Sequence, residues 1–144
     1  MVNDYISIGE VLDVASKAAS NPYKLIQGKK IMFESRLENG ESIALCSPQS
    51  KFHPQGFYWC DMTSIQCELL DKYDNAIVIF RLQGRKMMIV NWGDLKPFFT
   101  IDCMRENKDE GTHWKMNIYD DHIKVSGNPI ELKVQSFSCA GKTE

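Results

Sequence analysis

Apolar and polar positions along the chain fall into a helical opening, a series of two-residue alternations, one unbroken apolar run and a second set of alternations towards the C-terminus. Ile8, Val11, Leu12, Ala15, Ala18 and Ala19 recur at helical spacing behind Ser7-Ile8-Gly9-Glu10, which has the form of a capping box. Asn21-Pro22 stops that helix, and Tyr23 to Gln27 reads as a further helical turn closed by Gly28. Ile31, Phe33 and Ser35 then alternate with Met32 and Glu34. Asn39-Gly40 supplies a two-residue turn, and Ile43 and Leu45 alternate on the return, so a β-hairpin is predicted. The segment SPQSKFHPQG (47–56) has two prolines, a glycine and little periodicity, which predicts a loop.

The strongest patterning lies in 56–100. Phe57 to Cys60 is bulky and β-prone, Thr63 with Gln66 forms a second capping box, and Ile65, Leu69, Leu70 and Tyr73 share one helical face. Ala76-Ile77-Val78-Ile79-Phe80 has no polar alternation, as expected of a central strand covered on both faces. Gln83-Gly84 turns the chain, Lys86 to Val90 returns, and Asn91 caps a short turn limited by Pro97. Residues 100–112 read as a polar loop. Trp114, Met116 and Ile118, then Ile123 and Val125, then Ile130, Leu132 and Val134 alternate as a three-strand meander ahead of a frayed tail. The expected architecture is therefore a single α+β domain spanning 1–144. Its largely antiparallel sheet would have about six to eight strands, with an N-terminal helix and the Thr63 to Tyr73 helix packed on one face.

Composition narrows the partners more than the fold. With 144 residues, 43% hydrophobic and 25% charged, the chain is long and apolar enough for one core. Seventeen Lys and Arg against nineteen Asp and Glu leave a formal charge of −2, which excludes whole-surface attraction to nucleic acid but permits a local basic patch. No apolar run approaches the roughly 18 residues of a membrane span, and MVNDYISIGEV has neither a basic leader nor an apolar signal core. A cytoplasmic protein without membrane association is expected. Five cysteines lack paired spacing, so no disulfide framework is expected. Cys46, His53, Cys60 and Cys67 recur every seven residues, but they would be spread over different elements, and the recurrence reads as coincidence rather than a zinc site.

Two constellations bear on chemistry. Asp121, followed by Glu131-Leu132-Lys133, resembles the D…(D/E)xK pattern of restriction-endonuclease-like nucleases. In that pattern the acids hold Mg²⁺ and the lysine steadies the attacking water. Strand alternation puts Glu131 and Lys133 on one face, as it also would on any solvated edge strand. The second is the order FYW, capped helix, KYDNAIVIF, GRKMMIVNWGDLKPFF and HWKMNIY over Phe57 to Tyr119. It is similar to uncharacterised accessory domains of restriction and other DNA-processing proteins, with Val90-Asn91-Trp92 standing where their pattern has Ile-Pro-Phe.

That resemblance implies a non-catalytic DNA-associated recognition or accessory module of a bacterial or phage defence system. Such a module needs no cofactor and has DNA or a protein of the same system as partner. Its candidate contacts are Lys51, His53, Trp59, Arg81, Arg85, Lys86, Trp92, His113 and Lys115, the cations to neutralise phosphate and the aromatics to stack bases. Each tryptophan taken alone is more commonly a core anchor. Two alternatives stand beside this reading: a Mg²⁺-dependent nuclease using Asp121, Glu131 and Lys133, and a protein-interaction module docking through an exposed aromatic face.

Overall fold

The apolar run at 76–80 lies at the centre of the molecule, and the rest of the chain is arranged around the strand that contains it. The structure, a computed structural model, describes residues 4–17, 19–109 and 111–139; Ala18 of the predicted helix and the tail 140–144 lie outside the described residues. In chain order the elements are α1 (Ile8–Ala15), β1 (Lys24–Leu25), β2 (Met32–Arg36), β3 (Ser42–Cys46), β4 (Gln49–His53), β5 (Phe57–Thr63), α2 (Ser64–Leu70), β6 (Asn75–Leu82), β7 (Lys86–Asn91) and α3 (Trp92–Leu95). Two 3-10 turns follow at Lys96–Phe98 and Ile101–Cys103. The chain then forms β8 (Arg105–Asn107), β9 (Gly111–Tyr119), β10 (His122–Val125), β11 (Leu132–Lys133) and β12 (Ser136–Ser138). The class is α+β with a mixed sheet. Among the described residues nine of eleven ladders are antiparallel, and the two parallel ones join β6 to β3 and to β4.

Both parallel ladders share one register, Ile43 opposite Asn75 and Gln49 opposite Arg81, so β3 and β4 are one path along β6 broken at Ser47-Pro48. Proline cannot donate to a ladder, and there the path bends away. The Ser47 hydroxyl donates to the Ile79 carbonyl at 2.8 Å, and the Arg81 N–H donates to the Pro48 carbonyl at 2.9 Å, which holds the bend against β6. Beyond it β4 leaves β6 to pair with β5, and the neighbour path continues through β9 and β10 to β11. The chain then crosses from β11 to β12, which pairs with β7, itself paired with β6. The path thus returns to β6 and encloses a core. Breaks at 47–48 and 134–135, with very short strands such as β1, raise the strand count to twelve among the described residues rather than six to eight.

Side-chain alternation on β6 divides the interior. Ala76, Val78, Phe80 and Leu82 face the enclosed core with Met62, Met88, Met116 and Ile118. Ile77 and Ile79 face a second cluster with Ile6, Val11, Phe33, Leu45 and Met87. The two helices are divided in the same way: α2 gives Cys67 and Leu70 to the first cluster and α1 gives Val11 and Ala15 to the second. They therefore do not share a face as expected, because a strand buried on both sides requires a cover on each. Both predicted capping boxes form, Ser7 with Glu10 and Thr63 with Gln66.

Other local expectations are corrected. Tyr23 to Gln27 is not a helical turn, since Lys24 and Leu25 pair with Glu34 and Phe33 as edge strand β1. The turn between β2 and β3 holds three residues, 38–40, not two, and is closed by the Leu37 N–H donating to the Glu41 carbonyl, with Gly40 at φ +87°. The 47–56 segment contains strand β4, formed by pairing that periodicity does not encode. Within the polar loop 100–112, Arg105–Asn107 pairs with β9. No helix among the described residues is long and apolar enough to cross a membrane.

Candidate nucleic-acid interface

The site is built by strand alternation on β4, β5, β9 and β10. On β5, Tyr58, Cys60 and Met62 are buried in the core, which turns Phe57, Trp59 and Asp61 outward. Register then fixes their neighbours: Lys51 opposite Trp59, His53 opposite Phe57, Asn117 on the other side of Trp59, and Lys115 opposite Asp61. On β10, Lys124 stands opposite Asn117 and His122 opposite Tyr119. One outer face therefore carries lysines at 51, 115 and 124, imidazoles at 53 and 122, and rings at 57, 59 and 119.

The rings are in contact. His53 stacks on Phe57 with centroids 4.8 Å apart and planes within 4°, and Tyr119 stacks on His122 at 4.3 Å and 9°. Phe57 and Tyr119 join the pairs at 6.0 Å, so an aromatic row crosses four strands. Trp59 meets His53 edge to face at 5.1 Å and is 50% exposed. Its indole, with Lys51, Gln49, Asp61 and Lys115, lines an open hollow of about 310 Å³. Two larger hollows of about 490 and 510 Å³ lack an exposed ring platform; one is lined by Pro22, Glu34, Arg36 and Tyr73, whose hydroxyl donates to Glu34 within it.

Each end of the row is held. At one end the Gln55 N–H donates to His53 Nδ1 at 3.0 Å, which places the neutral ring's hydrogen on Nε2. At the other, His122 Nδ1 lies 2.7 Å from Asp121 Oδ1 and His122 Nε2 lies 3.6 Å from Glu131, which in turn is 3.6 Å from Lys133. The hydrogen bond from His122 holds the Asp121 carboxyl below its ordinary range. The three residues of the D…ExK pattern thus come together, but around an imidazole interposed between the carboxylates. Among the described residues no group of three or more His, Cys, Asp and Glu side chains is arranged to hold a metal ion. The seven-residue series of thiols and imidazole also parts: Cys46, Cys60 and Cys67 are in the core while His53 is on the outer face. Burial pushes the Cys60 and Cys67 thiols up to about 12 and Cys46 higher still.

Of the nine sequence candidates, Lys51, His53, Trp59 and Lys115 share this face. The other five lie elsewhere. Arg81 is 9% exposed, and its Nε and Nη2 donate to the Ser47 carbonyl at the strand break. Trp92 is 5% exposed and donates to Asp71 at 2.8 Å, and His113 is 2% exposed at the point where β5 and β8 both pair with β9. Arg85 bonds Glu10 at 2.6 Å. Lys86 bonds Asp120 at 3.0 Å and lies 5.6 Å above the Tyr58 ring.

Phe57, Tyr119, His122 and Lys124 were missed. Their signal was present as the outward phase of strands whose inward phase is strongly apolar. Comparison with protein-family models, curated protein sequences and solved structures finds no match, so the site stands on its own chemistry.

Proposed function

We propose that the protein is a non-catalytic nucleic-acid-binding accessory module that holds DNA on the outer face of β4, β5, β9 and β10. The observation that carries this reading is the convergence of Lys51 and Lys115 beside half-exposed Trp59, on a face extended by Lys124. Ammonium groups supply the salt-sensitive attraction to phosphate that a net charge of −2 does not, and the indole offers a π-face to bases. Asp61 keeps the hollow from being wholly cationic, so attraction is local rather than global. The likeness of 57–119 to accessory domains of DNA-processing proteins supports a role within a restriction or defence system.

Fluorescence anisotropy with a labelled 20-mer at low salt tests the reading. Binding is expected to weaken steeply as salt rises, and the double variant Lys51→Glu/Lys115→Glu to bind at least tenfold more weakly, with the salt slope reduced by about two. Absence of retention at low salt sinks the proposal. The nuclease alternative is separated by incubating plasmid with Mg²⁺: cleavage that disappears in Lys133→Ala would favour it. Capture of a protein partner with no DNA retention would favour the interaction module.

A further inference from the structure

The rings on this face are not equivalent, and their orientations distinguish a platform from its support. His53 and Phe57 give faces to each other, as do Tyr119 and His122, and Phe57 closes on Tyr119 at 48°. A ring stacked on its lateral neighbour has that face covered and cannot offer it to a base. Trp59 is different. Its plane is at 84° to that of His53, it has no other ring contact among the described residues, and half its surface is exposed. It also borders the hollow shared with Lys51 and Lys115.

We infer that Trp59 is the single base-stacking position of this face and that the ligand is an unpaired strand, not duplex DNA. The inference rests on the nucleic-acid reading above and deepens it. In a duplex both faces of every base are already stacked, so a half-exposed indole takes a base only from a strand whose bases are free or at the cost of flipping one out. Lys51 and Lys115, on opposite sides of the hollow, hold phosphates flanking the stacked nucleotide. The hollow is at the small end of ligand clefts, which matches one base rather than a longer segment. Recognition is sequence-tolerant, because every base has a π-face.

The test measures the affinity of the full chain for a single-stranded dT12, for an RNA U12 and for a 12-base-pair duplex at one low salt concentration. The single strands are expected to bind at least about tenfold tighter than the duplex. Trp59→Ala is expected to lose about tenfold towards single strands and little towards duplex, and Trp59→Phe to retain most of the binding. Quenching of tryptophan fluorescence by the single strand should vanish in Trp59→Ala. Because Trp59 is exposed, this variant is expected to keep the wild-type melting temperature, which is measured alongside. Unchanged single-strand affinity in Trp59→Ala, or a duplex that competes as well as the single strand, overturns the stacking inference while the DNA reading stands. Failure of all three probes to bind overturns both, as does salt-insensitive binding of a neutral oligosaccharide in their place.

Discussion

Two hairpin turns in this chain look alike in sequence and have opposite fates. Lys51-Phe52-His53 at the end of β4 runs through Pro54-Gln55-Gly56 into β5, and Gln83-Gly84-Arg85 joins β6 to Lys86 at the start of β7. Each combines cations with a glycine at positive φ. The second turn is enclosed by the rest of the chain: the Gly84 and Arg85 N–H groups both donate to the Asp4 carbonyl at 2.8 Å, the Arg85 carbonyl accepts from Cys139, and both cations have carboxylate partners. The first projects beyond the core, with Phe52 and Trp59 exposed and Lys51 in solvent. The charges of a basic turn stay available to a ligand only when no other segment of the chain claims them.

The widest separation between the two hairpins is expected in the core beneath the second. Phe80→Ala removes a fully buried ring from β6 and should cost about 3–5 kcal/mol in chemical denaturation, whereas Trp59→Ala should leave the transition nearly in place; comparable losses would dissolve the distinction. Next in size is Gly56→Ala. At φ +101° an alanine is strained by about 1 kcal/mol or more, so the β4–β5 turn should loosen and DNA affinity fall together with stability. Arg85→Gly relaxes a non-glycine residue at φ +60° but loses the Glu10 pair, so the two effects nearly cancel and DNA affinity should not move.

Glu10 gives the second hairpin a pH signature. The Ser7 N–H and then Arg85 hold its carboxyl at about 2, below the ordinary 4.5. A depressed carboxyl stabilises the fold above its unfolded value, and the contribution is lost as pH falls from about 4.5 through about 2. Glu10→Gln should therefore lower the unfolding free energy read from urea titration at pH 7 by about 1 kcal/mol, and differ little from the parent near pH 2. A similarly small effect is expected for Lys86→Met, within about 0.5 kcal/mol, since its partner Asp120 is largely exposed. A larger loss would show that the Tyr58 cation–π contact matters more than its 5.6 Å separation suggests.

Much of the scaffold was legible before any tertiary information. The doubly buried β6 was visible in Ala76 to Phe80, the two helix starts in Ser7/Glu10 and Thr63/Gln66, and the inward phase of β9 in Trp114, Met116 and Ile118. The candidate face was legible only in part. Lys51, His53, Trp59 and Lys115 were singled out, but so were Arg81, Trp92 and His113, which the fold buries. Strand β4 carries little local signal, since Pro48 and Pro54 flank it and its alternation is weak; it exists because β5 and β6 offer it partners.

By itself, then, the sequence determined periods, caps and the inward side of each long strand, because these depend on residues within a turn or two of one another. Tertiary structure decided which of three similar tryptophans stays half in water, which arginines meet a carboxylate or a carbonyl, and which aromatic residues form a row across four strands. Those outcomes depend on register between segments as far apart as Lys51 and Lys124. A one-residue slip in any of the three intervening ladders would turn the face into the core. That register is set by the summed packing of the core, and no single stretch of chain contains it.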